Sequence, residues 1–262
     1  MNSPHRTGTL LLACMLVANW SSLAAAADAQ PTPGNQVAAS TVVKVAGDDG
    51  KEREVTLRYW LFVPADYAAD ERKLWPLLLF LHGSGEKGDD LELVKVQGPP
   101  KLIEAKPDFP FVTISPQCPK ETRWNAAELA KLVDSVANNL RIDRQRLYVT
   151  GLSMGGSGTW SLLAQHPGLF AAAVPICGRG DLTKVDTIGQ TPVWVAVGGK
   201  DRPETVKANI DMVAALNAAG NTVGFTLYPD LPHDCWTATY ENPKVWEWLL
   251  SQQLTKQAET KE

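Results

Sequence analysis

The sequence predicts an α/β domain with a mostly parallel central sheet and helices on both faces, on three observations. From residue 77 onward, short apolar runs alternate with helical patterns, an order that folds as strand–helix–strand crossovers. Leu77-Leu78-Leu79-Phe80-Leu81 is apolar without alternation, the pattern of a strand buried on both faces. Tyr148-Val149-Thr150 runs directly into Gly151-Leu152-Ser153-Met154-Gly155, a Gly-x-Ser-x-Gly at a strand-to-helix junction. A chain doubling back so sharply leaves no room for a Cβ at the glycines and holds the central serine above the sheet edge.

Composition narrows the function classes. The 262 residues are 44% hydrophobic and 21% charged, as in an ordinary globular protein, with no internal repeat or break in composition, so residues 41–254 read as one domain. A net charge of -4 and a pI near 5.6 supply no basic surface for nucleic acid. Residues 1–27 read as a secretory signal peptide. Arg6 gives the positive start, Leu10 to Trp20 an apolar run too short for a comfortable membrane span, and Ala24 to Ala27 the Ala-x-Ala cleavage sites. The expected location is secreted or periplasmic; a lipoprotein anchored through Cys14 is the alternative. Once Cys14 is removed, Cys118, Cys177 and Cys235 remain, without Cys-x-x-Cys spacing. That argues against a structural zinc site. Buried apolar thiols are the default reading, with Cys177–Cys235 as the candidate bridge.

In chain order, residues 28–40 read as a flexible leader rich in Ala, Pro, Gln and Gly. Thr41 to Val45 and Glu54 to Val63 read as two strands around a polar turn. In the second, Val55, Leu57, Tyr59 and Leu61 alternate with Thr56, Arg58 and Trp60, as in a half-buried antiparallel strand. Beyond Leu81, Asp89 to Lys95 is expected to be helical, Phe111 to Ile114 a strand, and Ser115-Pro116-Gln117-Cys118-Pro119 a loop fixed by its prolines. Ala126 to Leu140 is the clearest helix, with Leu129, Leu132, Val133, Val136, Ala137 and Leu140 on one stripe. Arg146 to Thr150 leads into the serine turn, and the helix beyond stops before Pro167-Gly168. Phe170 to Ile176, Pro192 to Val197 and Val223 to Tyr228 are further strands. Thr205 to Ala219 is a helix capped by Gly220, and Asn242-Pro243 opens the last one. Residues 255–262 form a polar tail.

A serine hydroxyl is a weak nucleophile and needs a base, itself oriented by a third group. Four histidines are available. His5 leaves with the signal peptide, and His82 ends a strand inside a Gly-rich turn. His166 lies 13 residues beyond Ser153 (166 − 153), about 20 Å away along its own helix. His233 follows the last strand, at the same sheet edge as Ser153, and is the expected base. The orienting acid should come from a strand end between them: Asp201 fits best and Asp181 is the alternative, whereas Asp230 and Asp234 flank the base too closely to turn and face it. Backbone N–H groups of Met154 and Ser84 are the expected oxyanion donors, the latter because Gly83 and Gly85 let that loop approach.

The segments Leu79-Phe80-Leu81-His82-Gly83-Ser84-Gly85-Glu86, Ser115-Pro116-Gln117-Cys118-Pro119 with Trp124, Arg146 through Gly156, and Gly158-Thr159-Trp160 resemble the α/β-hydrolase superfamily. Within it they are similar to a secreted bacterial group labelled predicted peptidase, near the feruloyl, acetylxylan and polyhydroxybutyrate-depolymerase-like esterases. The resemblance spans roughly residues 55–250. It implies a Ser153–His233–Asp201 triad and a carboxylic-ester hydrolase more strongly than a peptidase, with no metal or organic cofactor. Only about fifteen residues separate the Phe170–Ile176 and Pro192–Val197 strands, too few for a large lid domain. Trp124 and Trp236, with Gln117, are the expected substrate contacts, by stacking on a sugar or feruloyl ring; Trp160, within a helix, reads as core. The expected partner is thus a small-molecule or polysaccharide ester. A serine peptidase on the same triad, or a non-catalytic binding protein on the same fold, are the competing readings.

Overall fold

The computed structural model describes residues 31–47 and 50–254. Eight strands make one sheet: β1 (Gln36–Ala46), β2 (Glu52–Phe62), β3 (Trp75–Leu81), β4 (Val112–Pro116), β5 (Ile142–Leu152), β6 (Ala172–Ile176), β7 (Val193–Gly198) and β8 (Val223–Tyr228). Their order is β1-β2-β4-β3-β5-β6-β7-β8. β2 pairs antiparallel with β1 and β4, and every remaining neighbour pair is parallel. The parallel strands therefore all end at one edge, where loops from β3, β5, β6, β7 and β8 can converge.

The helices are α1 (Gly98–Ile103), α2 (Ala126–Asn139), α3 (Met154–Gln165), α4 (Val185–Ile188), α5 (Pro203–Ala218), α6 (Trp236–Glu241) and α7 (Pro243–Ser251). The core splits into two clusters, one on each sheet face. Along β3, Leu77, Leu79 and Leu81 join the cluster packed with α2 and α3, while Leu78 and Phe80 join the one containing Tyr240 and Trp246 of α6 and α7. This is why β3 shows no polar alternation: both faces are covered. Asn125 caps α2 by accepting the Glu128 N–H, and Asn242 caps α7 by accepting the Lys244 N–H.

Several elements differ from the sequence expectation. The expected leader is too long by five residues, because β1 begins at Gln36, whose register partner is Phe62. Ala39, Val43 and Val45 point into the core while Val42 is 58% exposed; the small residues at 38–40 hide that period. The helix expected at Asp89 to Lys95 is a 3₁₀ turn, Leu91–Val96, capped by the Asp90 carboxylate. α1, α4 and α6 were not anticipated. Between β6 and β7 lie only a 3₁₀ turn at Leu182–Lys184 and α4, so no lid domain occupies this connection. Among the described residues, no helix is long and apolar enough to cross a membrane. The expected signal peptide, Cys14 and the 255–262 tail lie outside the described residues.

Candidate active site

Ser153 sits between β5 and α3 with φ 54° and ψ -111°. That is left-handed backbone at a non-glycine residue, a strained conformation that survives only when its surroundings enforce it. The enforcement is visible. The Ser153 N–H donates to Ile176 O at 2.8 Å, tying the turn to β6. A Cβ on Gly155 would meet Leu81 O at 1.9 Å, and one on Gly151 would meet Gly155 O at 2.4 Å. Only glycine lets α3 press this closely on the end of β3.

His233 arrives on the loop after β8, residues 229–235. Gly199 N–H donates to Tyr228 O at 2.7 Å and Lys200 N–H to Leu231 O at 2.9 Å, so this base loop is zipped by backbone to the end of β7. A Cβ on Gly198 would lie 1.9 Å from Pro232 O, so the loop crosses β7 in direct contact. The zipper brings His233 and Asp201 together. His233 Nδ1 and Asp201 Oδ2 are 2.6 Å apart, and His233 Nε2 and Ser153 Oγ 2.8 Å. The second Asp201 oxygen accepts the Arg202 N–H at 2.6 Å. The Asp201 side chain is 1% exposed and that of His233 35% exposed: the acid is sequestered from water and the base remains reachable. The network assigns Nδ1–H as donor to Asp201 and leaves Nε2 to accept the serine proton, the arrangement a general base requires.

The expected alternative acid, Asp181, is elsewhere employed. Its exposed carboxylate accepts the Thr183 N–H and hydroxyl at 2.9 and 2.7 Å. These bonds hold its pKa below the usual value, the Thr183 hydroxyl contributing most.

Met154 is the first residue of α3, where backbone N–H groups lack intrahelical partners. Gly83 packs against the serine turn, since a Cβ there would touch Leu152 Cδ1 at 2.8 Å, and exposed Ser84 follows it. Met154 thus directly follows the nucleophile, and the residue before Ser84 packs on the turn that carries it.

What holds the Ser84 loop was not legible. His82 is fully buried, with Nδ1 2.7 Å from Gly83 O and Nε2 accepting the Cys118 N–H at 3.1 Å. One neutral tautomer satisfies both bonds: Nδ1–H donates and Nε2 accepts. Burial, the largest influence, lowers its pKa. Two residues expected to contact substrate join this scaffold. Gln117 is 6% exposed, and its Nε2 donates to Glu86 O and Asp90 O at 3.0 and 2.8 Å; its amide nitrogen is committed to the loop. Trp124 donates its indole N–H to His82 O at 3.1 Å and stands at 64° to the His82 ring, centroids 4.8 Å apart. It also packs on Gly158 of α3. Half-buried and with its polar handle used, Trp124 wedges the loop against α3.

Trp236 is different. It opens α6, is half-buried, and meets the His233 ring edge-to-face at 5.6 Å and 90°. Trp160 is 2% exposed and belongs to the core. Cys177 and Cys235, the candidate bridge, are free thiols whose Sγ atoms lie 3.1 Å apart.

Known proteins similar to this chain are hydrolases. Residues 120–198 match the model of the prolyl oligopeptidase family. A poly(3-hydroxyalkanoate) depolymerase C from Paucimonas lemoignei is 43% identical over 53 residues, covering 20% of this chain and 13% of that protein. Among solved structures, a thermostable esterase superposes with TM-score 0.66 at 33% identity, over 82% of this chain and 63% of that one. The feruloyl esterase module from Clostridium thermocellum, solved with sinapinate, superposes with TM-score 0.58 at 16% identity, over 84% and 89% of the two chains. The chain thus spans 63% of the esterase's length and 13% of the depolymerase's.

Proposed function

We propose that this chain, a member of the α/β-hydrolase superfamily, is an exported serine carboxylic-ester hydrolase acting through an acyl-enzyme on Ser153. The observation that carries the reading is the continuous relay Ser153 Oγ–His233 Nε2–His233 Nδ1–Asp201 Oδ2 at 2.8 and 2.6 Å. Ser153 attacks the ester carbonyl as Nε2 takes its proton. The buried Asp201 carboxylate steadies the imidazolium that forms. The Met154 and Ser84 N–H groups receive the oxyanion, and His233 returns the proton to the leaving alcohol. Water, deprotonated by the same nitrogen, then releases the acid and frees Ser153.

The substrate reading is an ester with a small or aromatic acyl group, including those linked to plant polysaccharides. The exposed part of Trp236 beside the base would line the acyl site, and the open β6–β7 side leaves access for a bulky alcohol. A feruloyl esterase among the structural relatives supports this. The match of residues 120–198 to the prolyl oligopeptidase family favours a second reading, a serine peptidase on the same triad.

Hydrolysis of p-nitrophenyl acetate and methyl ferulate by the parent and by Ser153→Ala tests the proposal. The expected loss in the variant is on the order of 10⁴-fold or more in kcat. Cleavage of a peptide panel with no ester turnover would favour the peptidase; no turnover of either would sink both.

A further inference from the structure

The chemistry above makes no use of Cys177 and Cys235, yet the fold has gathered them. Cys177 directly follows β6, and Cys235 closes the base loop and caps α6. Their side chains belong to residues only 3% and 0% exposed, with Sγ atoms 3.1 Å apart. The Cys177 thiol also donates to the backbone oxygen of His233 at 2.9 Å. Cys177 has φ 51°; besides Ser153 it is the one non-glycine residue with positive φ among the described residues. Its N–H is anchored to Ala196 O at 2.9 Å, so β7 enforces the strained backbone beneath the base. Strain of this kind persists where the surroundings fix a side chain in place.

We infer that Cys177 and Cys235 form a disulfide when the chain folds in the presence of a small-molecule disulfide, pinning the base loop to the end of β6. A thiolate of one cysteine attacks the small disulfide, forming a mixed disulfide and releasing one small thiol. The thiolate of the other then displaces the second small thiol. The two cysteine thiols are oxidised by two electrons, the small disulfide is reduced to two thiols, and the two protons go with them. The sulfurs must close from 3.1 Å to about 2.05 Å, a movement of side-chain scale. The hydrogen bond with Cys177 and then burial push the Cys235 thiol well above its ordinary pKa, so the finished reduced fold, with both thiols out of reach of solvent, reacts slowly and the bond belongs to the folding stage. The 58-residue separation encloses β7, α5 and β8, and with them both Asp201 and His233. Closing that loop restricts the unfolded chain and thereby stabilises the folded one. Cys118 stands apart, its thiol facing Thr122 Oγ1 and Pro119 O, and stays free.

The test is refolding of the full chain in a reduced/oxidised glutathione buffer, alkylation of free thiols, peptide mapping by mass spectrometry, and thermal melting. The expected result is a linked Cys177–Cys235 peptide pair with Cys118 alkylated. The melting temperature should exceed that of the same protein melted with a strong reductant by roughly 5–15 °C. Cys118→Ser should retain that difference and Cys177→Ser should lose it. Alkylation of both Cys177 and Cys235 in the refolded protein, a link through Cys118, or a linked pair with no change in melting would overturn the inference. None of these readouts needs a substrate, so they stand apart from the esterase assay.

Discussion

On one side of Ser153, the loop after β3 is held largely by side chains, His82 to Cys118, Gln117 to Glu86 and Asp90, Trp124 to His82, with one backbone bond from Gly88 N–H to Cys118 O. On the other side, the base loop is held chiefly by backbone, with the Cys177 thiol adding one bond to His233 O. It is zipped to β7 through Gly199 and Lys200, and crosses Gly198 where no Cβ fits. The difference separates polar and aromatic side chains committed to the scaffold from those left partly open beside Ser153. On the side-chain-held side, polar and aromatic groups of the types that bind substrates are spent on scaffolding. On the backbone-held side, His233 and Trp236 remain partly open.

The largest effect is expected from disturbing the backbone zipper without touching a reacting group. Gly198→Ala places a Cβ against Pro232 O and should displace His233 by a fraction of an ångström to an ångström. The expected fall in kcat is about 10²-fold. Gly85→Ala, where nothing lies within 4 Å, should leave turnover close to the parent. Equal effects at the two positions would show that the loops are not held differently.

Next in size is Gln117→Ala, which leaves two backbone carbonyls of the Ser84 loop without their donor. The expected cost is about 1–3 kcal/mol of stability, seen as a lower melting temperature, with kcat reduced for every ester alike. A KM change confined to one substrate, with melting unchanged, would instead make Gln117 a substrate contact. The two tryptophans sharpen the same contrast. Trp236→Ala should raise KM for methyl ferulate by several-fold, as expected for losing an aromatic contact of about 0.5–1.5 kcal/mol, and affect p-nitrophenyl acetate less. Trp124→Phe, which loses the bond to His82 O, should lower the melting temperature and leave the preference between the two esters unchanged.

The smallest effect is on pH. Burial lowers the pKa of His82 in the folded protein, so the unfolded chain binds the proton first. The stability His82 contributes is therefore fully present above the unfolded value of about 6.5 and is lost as pH falls from there through the folded pKa. Melting followed from pH 8 to pH 5 should show a decline that His82→Gln flattens. An equal decline in both proteins would assign it to other groups.

The contrast also explains what could be read from the sequence. The serine turn was legible because its geometry permits only glycine at two positions, and such a constraint is written locally. The choice of His233 rested on topology: parallel strands end at one edge, and elimination among four histidines did the rest. The scaffolding of His82 by Cys118, 36 residues later, depends on β4 pairing beside β3, which no local pattern encodes. α1 was missed because Pro99 and Pro100 read as breakers, although prolines fit a helix's first turn. α6 was missed because its six residues carry no apolar stripe. The hidden period of Ala38, Ala39 and Ser40 cost the first part of β1.

The most direct test of the relay is a rapid-quench reaction with p-nitrophenyl acetate, followed by mass analysis of the peptide that carries Ser153. The expected result is a burst approaching one p-nitrophenolate per chain and an acetyl group on Ser153, with both lost in His233→Ala. Steady ester turnover with no acyl group on Ser153, or with the same turnover in Ser153→Ala, would contradict it.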